Sequence, residues 1–143
     1  VLEIAVPPLP PSPAGEASGP AEAGSTPLHE GAWNTLARSL EGELHRSRSI
    51  RMLYATDASS YRELPEAVAY PKSEADLQQL LAFARRYRIG LVPRTAGTSL
   101  AGQVVGAGLV LDLSRHFTRI LDLDLAGRTV RVQPGVIRDE LNR

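Results

Sequence analysis

Two short apolar runs, residues 67–70 and 91–93, enclose one sharply delimited amphipathic helix, and this order constrains the fold more than any other feature. Ser73 is a good N-cap, and Glu74 and Asp76 put acidic charge in the first turn. Leu77, Leu80, Leu81 and Ala84 form an apolar stripe, while Arg85, Arg86 and Arg88 load the last turn with positive charge. Gly90 supplies a stop. Strand, helix and strand in immediate succession predict a parallel pair with a right-handed crossover. Residues 108–113 form a further apolar strand, interrupted only by Asp112. Residues 120–125 alternate, with Leu121, Leu123 and Leu125 on one face and Asp122 and Asp124 on the other. Ala126-Gly127 makes a turn into a return strand carrying Val130 and Val132. Upstream, Trp33, Leu36, Ala37, Leu40 and Leu44 recur at helical spacing, followed by an irregular segment over residues 51–61. A helix opens after Val136 and meets no stop signal by Arg143, so the chain reads as part of a larger domain.

Composition restricts what the chain can do. Seven of its eleven prolines fall in residues 1–29, with Ala, Gly, Ser and Glu. Such a segment buries too little apolar surface to offset its ordering entropy, which predicts a disordered leader. Residues 2–6 are too short for a signal-peptide core and Glu3 interrupts them. No run approaches the roughly 20 apolar residues of a membrane span. Sixteen basic side chains balance sixteen acidic ones, which gives no electrostatic case for nucleic acid. The basic stretch at residues 45–51 reads as a solvated connector. Cysteine is absent, which excludes disulfides, thiol chemistry and cysteine-ligated zinc or iron–sulfur sites from these residues. His29, His45 and His116 lack metal-ligand spacing. His116 reads as a turn residue, Trp33 as core, and Asp112 as a hydrogen-bonded strand end.

Between the second apolar run and residue 108 lies a loop, P-R-T-A-G-T-S-L-A-G-Q at residues 93–103. Gly97 and Gly102 permit positive φ and close approach of a ligand. Thr98 and Ser99 add hydroxyls, and successive turn N–H groups make an anion-binding concavity. Two readings stand on these residues alone: a pocket for a phosphate or diphosphate, or a plain surface turn. A P-loop is excluded because Gln103 and Val104 follow Gly102 where Lys and Ser or Thr are required. A dinucleotide fingerprint at Gly106 and Gly108 fails at Leu111, and a strand follows instead of a helix.

The ordered set Tyr54-x-x-Asp57, Pro71-x-Ser73-x-x-Asp76, residues 93–103, Leu111-Asp112-Leu113-Ser114, residues 132–136 and Leu141-Asn142 resembles the FAD-linked oxidases. These are flavoproteins of the vanillyl-alcohol-oxidase (PCMH) type, and the similarity runs from Arg51 to Arg143. The nearest branch is the D-2-hydroxyacid dehydrogenases, in particular large bacterial members that fuse the flavin domain to an iron–sulfur domain. The resemblance implies an α+β fold: the first, pyrophosphate-binding subdomain of a PCMH-type FAD-binding domain, with a small mixed sheet and flanking helices. It divides the chain into a leader (1–29), a helix and connector (30–50) and the N-terminal part of the FAD-binding domain (51–143).

Carried over by position, the resemblance implies that Pro93, Arg94, Thr95, Ala96, Gly97 and Thr98 wrap the FAD pyrophosphate, mostly through backbone N–H groups. Ser99, Gly102 and Gln103 would line the phosphate–ribose and flavin side, and Pro134, Gly135 and Val136 a second loop near the cofactor. Thr95-Ala96 departs from the Gly-Gly or Gly-Ala of many members. FAD is expected to be non-covalent, because the loop offers neither His nor Cys. The family's catalytic residues and metal ligands fall beyond Arg143, so no catalytic residue and no metal ligand is assigned. The implied activity is oxidation of a D-2-hydroxy acid (D-lactate, glycolate or D-2-hydroxyglutarate), with electrons leaving to an iron–sulfur cluster outside this chain, a quinone or an acceptor protein. No nucleic-acid partner and no transmembrane segment are implied, and the setting is cytoplasmic or at the inner face of the inner membrane. The alternatives are a same-fold oxidase of alcohols, sugars or lactones, and a non-catalytic binding module. Tyr54, Asp57 and Tyr61 fit either a cofactor-facing role or packing with an Asx-type turn.

Overall fold

The computed structural model describes residues 30–142; the expected leader at residues 1–29 lies outside them. Two core strands come from the apolar runs read in the sequence, β2 (Ala67–Tyr70) and β4 (Leu109–Asp112), every residue of which is buried. Helix α3 (Glu74–Tyr87) leads into β3 (Leu91–Arg94). Ahead of them stand α1 (Glu30–Ser39), β1 (Glu43–His45) and α2 (Arg48–Leu53). Beyond them come β5 (Ile120–Asp124), β6 (Thr129–Val132) and α4 (Arg138–Leu141).

The main sheet has the order β1-β2-β4-β3. β2 and β3 are both parallel to β4, with Val68 and Val92 each facing Val110, and β1 runs antiparallel on the edge of β2. The sheet is therefore small and mixed, as expected. The β2–α3–β3 unit differs from the simplest expectation in one respect: its two strands are parallel but not neighbours, because β4 lies between them. A strand buried on both faces takes the centre of a parallel sheet, and the apolar run at residues 109–111 suits that place better than β3, which ends in Pro93-Arg94.

Strand alternation divides the core into two faces. Ala67, Ala69, Leu109 and Leu111 pack against Trp33 and Leu36 of α1 and Leu80 and Phe83 of α3. Val68, Tyr70 and Val110 face the opposite way, toward Ile50 of α2 and Tyr54. Trp33 and Phe83 meet at 4.8 Å between ring centroids. Trp33 is thus core, and Phe83 belongs to the buried face although the apolar stripe omitted it.

Local corrections have local causes. Leu44 stands in β1, not at the end of α1, and part of the segment expected to be irregular is α2. Helix α3 stops at Tyr87 with Arg88 in the left-handed region (φ 54°), and Ile89 N–H donates to Ala84 O at 2.9 Å. Gly90 is therefore not the stop. Its carbonyl instead accepts from Leu109 N–H at 2.8 Å, and a side chain at Gly108 would overlap the Gly90 backbone. The stretch read as a solvated connector is also tied down: Arg46 pairs with Glu30 at 2.5 Å and stacks over Trp33, and Arg51 Nε donates to Pro65 O.

Ser73 caps α3 as expected, accepting from Asp76 N–H. The Asp76 side chain does more than complement a helix dipole. It is fully buried and accepts from the backbone N–H groups of Glu41 (2.8 Å), Gly42 (2.9 Å) and Lys72 (2.8 Å). It thereby fastens the approach to β1 onto the turn between β2 and α3.

The β5–β6 hairpin forms as expected, with Asp124 Oδ1 accepting from Gly127 N–H at 2.9 Å in the turn. Its leucine face, Leu121, Leu123 and Leu125, is exposed.

Candidate functional site

The glycine loop leaves the carboxyl end of β3, beside the carboxyl end of β4, the side of a parallel sheet where ligands gather. Leu113 N–H, immediately after β4, donates to Arg94 O at 2.9 Å and fixes the start of the loop. Gly97 and Gly102 have φ of 68° and 74°, values that favour glycine. Thr95 and Ala96 are not at positive φ, so the departure from Gly-Gly causes no backbone strain.

The two halves of the loop differ. In the second half, Ser99 Oγ donates to Gln103 Oε1, Gln103 N–H donates back to Ser99 Oγ at 3.0 Å, and Val105 N–H reaches Gly102 O at 3.2 Å. In the first half, none of the described residues accepts a hydrogen bond from the backbone N–H groups of residues 95–99. Five successive main-chain donors are left for another acceptor. Such a row of amides suits an anion, so this stretch fits a pyrophosphate.

A second segment lies against the loop at several points. Arg94 Nη1 donates to Thr56 O at 2.7 Å and to Tyr54 O at 3.4 Å, and its guanidinium lies 5.1 Å from the Tyr54 ring centroid. Ala58 N–H donates to Gly97 O at 3.2 Å. The Tyr61 ring covers Gly102 so closely that a Cβ there would stand 2.8 Å from Cδ2. Asp57 Oδ1 accepts from the N–H (2.9 Å) and hydroxyl (2.5 Å) of Ser59, the expected Asx-type turn. The Ser59 hydroxyl, and then its backbone N–H, hold the Asp57 carboxyl below its ordinary range. Residues 54–61 are therefore part of the site's construction. The sequence signal for them was Tyr54-x-x-Asp57, whose contact with the loop no local pattern announces.

Beneath the site, Tyr54 donates its hydroxyl to Asp112 Oδ2 at 2.5 Å, and Asp112 Oδ1 accepts from the N–H (2.8 Å) and hydroxyl (2.6 Å) of Ser114. Asp112 is a hydrogen-bonded strand end, as read. Burial, and then the Asp112 carboxylate, push the Tyr54 hydroxyl well above the ordinary tyrosine range. A raised folded pKa means that this bond stabilises fully below about pH 10 and is lost as pH rises through the folded value. In an alkaline titration of the tyrosinate absorbance, Tyr54→Phe should therefore leave the amplitude near pH ~10 unchanged. Loss of one tyrosine's amplitude there would contradict the bonded arrangement.

The second expected loop stands apart from the first. Gly135 N–H donates to Phe117 O at 2.8 Å, and Val136 N–H to Gln133 O at 3.1 Å. A Cβ on Gly135 would come within 2.8 Å of the Leu113 and Phe117 carbonyls. Pro134, Gly135 and Val136 are thus seated on the turn that follows β4. Among the described residues, no hydrogen bond joins them directly to residues 93–103. His116 lies in that same turn.

This arrangement is an α+β domain, a small mixed sheet carrying a loop of free amides at its carboxyl edge. Residues 65–143 match the family model described as FAD binding domain, and the chain belongs to that family. Relatives include the D-2-hydroxyglutarate dehydrogenase of Haemophilus influenzae, 41% identical over 106 residues, covering 72% of this chain and 10% of that protein. The Escherichia coli D-2-hydroxyglutarate dehydrogenase is 37% identical over 105 residues, covering 71% and 10%. Glycolate oxidase subunit GlcD of Bacillus subtilis is 36% identical over 100 residues, covering 68% and 21%. The chain thus spans about a tenth of the length of the D-2-hydroxyglutarate dehydrogenases it matches.

Among solved structures, an alkyldihydroxyacetonephosphate synthase superposes with a TM-score of 0.67 at 17% identity, over 80% of this chain and 26% of that one. The flavoenzyme CrmK of caerulomycin biosynthesis gives 0.56 at 17%, over 71% and 21%. These likenesses concern the fold, which is the PCMH-type FAD-binding fold expected from the sequence. No described helix is long and apolar enough to cross a membrane.

Proposed function

We propose that residues 93–103 hold the pyrophosphate of a non-covalently bound FAD, and that the protein carrying this chain oxidises a D-2-hydroxy acid. The row of free amides over residues 95–99 carries the cofactor part of this proposal. Backbone donors fixed in advance neutralise a diphosphate without side-chain reorganisation. In this reading Pro93, Arg94, Thr95, Ala96, Gly97 and Thr98 shape the phosphate turn, with the Ser99–Gln103 pair closing its ribose side. Gly102 turns the chain between them at positive φ, and Pro134, Gly135 and Val136 form a second wall at the same, carboxyl end of β4.

FAD supplies the redox chemistry, accepting a hydride equivalent from the hydroxyl-bearing carbon; the residues of this chain bind it and set its position. The substrate assignment rests on the dehydrogenase and oxidase relatives. Electrons would then leave to an iron–sulfur cluster outside this chain, a quinone or an acceptor protein, in a cytoplasmic or inner-membrane-associated setting. The test is the full-length protein carrying this chain, purified and read by its visible spectrum. We expect flavin bands released intact by denaturation, and bleaching under anaerobic conditions on adding D-2-hydroxyglutarate, D-lactate or glycolate. A preparation that takes up no FAD would overturn the cofactor reading, and a flavin that none of the three acids bleaches would overturn the substrate class.

A further inference from the structure

We infer that Arg94 is a positioning residue: its guanidinium braces the phosphate loop from the protein side, against residues 54–61, and does not meet the phosphates. The inference rests on the reading of residues 93–103 as a pyrophosphate cradle and specifies how that cradle keeps its shape. An arginine beside a diphosphate would ordinarily be taken for its charge partner.

Here the side chain is already engaged. Nη1 is given to the Thr56 and Tyr54 carbonyls, and the planar group lies over the Tyr54 ring. The same guanidinium occupies the space under Gly97: a Cβ at that glycine would stand 2.8 Å from the Arg94 Cζ. Gly97 is thus glycine for two reasons, its positive φ and the arginine beneath it. Tyr54 is itself anchored to the end of β4 through Asp112. The brace therefore runs from the central strand through Tyr54 and Arg94 to the apex of the loop. Two further contacts join the same segments, Ala58 N–H to Gly97 O and Tyr61 on Gly102. Lysine keeps the charge of arginine but has no flat face to lay against Tyr54, and its tapering stem cannot fill the space under Gly97 as the guanidinium does.

The experiment uses the full-length protein, wild type and Arg94→Lys, with Arg94→Gln as a second variant should lysine disturb folding. The flavin-free forms are followed by amide hydrogen exchange over residues 55–63, where Ala58 N–H bonds to the loop and Glu63 N–H to Ala55 O. FAD dissociation constants come from quenching of flavin fluorescence. We expect exchange over residues 55–63 several-fold faster in Arg94→Lys before any flavin is added, and FAD bound about tenfold more weakly. In a Tyr54→Leu background the same lysine substitution should cost less than in wild type, because the ring face and its anchor on Asp112 are gone while the Thr56 carbonyl remains. Unchanged exchange with FAD affinity lost all the same would overturn the inference in favour of a direct phosphate contact. Unchanged affinity would overturn it equally. Wild-type protein that binds no FAD would instead remove the cradle reading, a result separate from the exchange comparison.

Discussion

Asp76→Ala should destabilise the fold by about 3–5 kcal/mol, because three backbone donors lose their one buried acceptor together and each unsatisfied donor costs about 1–3 kcal/mol. The carboxylate is fully buried and serves Glu41, Gly42 and Lys72 at 2.8–2.9 Å. Asp76→Asn should fall between alanine and wild type. Its single carbonyl oxygen can still serve Gly42 and Lys72, while its amide would face the Glu41 N–H donor to donor. Denaturant unfolding checks both, and a loss under about 1 kcal/mol for alanine would show that the clasp is dispensable. The damage should spread to β1, whose approach the clasp holds, before it reaches the β2–β4–β3 strands.

Gly97→Asp should weaken FAD binding by about tenfold or more and lower global stability by about 1–2 kcal/mol. A side chain at φ 68° costs about 1–2 kcal/mol. Its Cβ collides with the Arg94 guanidinium, and a carboxylate beside a diphosphate adds repulsion of about 1 kcal/mol or more. The strain falls on the folded chain with or without flavin, whereas the repulsion falls on binding, where about 1.4 kcal/mol is one decade in affinity. Gly97→Ala separates the parts, retaining the strain and collision without the charge. Flavin content after purification and fluorescence titration of the flavin-free protein give the measurement. An aspartate variant that retains full FAD would place the diphosphate elsewhere.

Gly97 also shows how far one sequence reaches. Glycine at that spacing after an apolar strand announced a loop able to admit an anion, but an open surface turn explained the residues equally well. The order of several motifs made the first the expectation, and the loop lies within the residues that match the FAD binding domain family. Phe83 shows the converse. It lay outside the simplest helical stripe, yet Trp33 is its partner across α1 and α3, and a contact between helices fifty residues apart leaves no periodic trace.

Periodicity and turn chemistry are local, so the chain alone determined the elements they govern: β2, the Ser73-capped α3, the apolar β4 and the β5–β6 hairpin. Residues 93–103 were likewise legible as a loop of unusual composition. Tertiary structure alone decided that β4 enters between β2 and β3, that Arg88 and not Gly90 ends α3, and that Asp76 is a buried clasp. It also decided that residues 54–61 support the glycine loop. Each of these depends on which distant backbone group finds a buried partner, a choice settled only when the whole sheet and its covering helices pack at once.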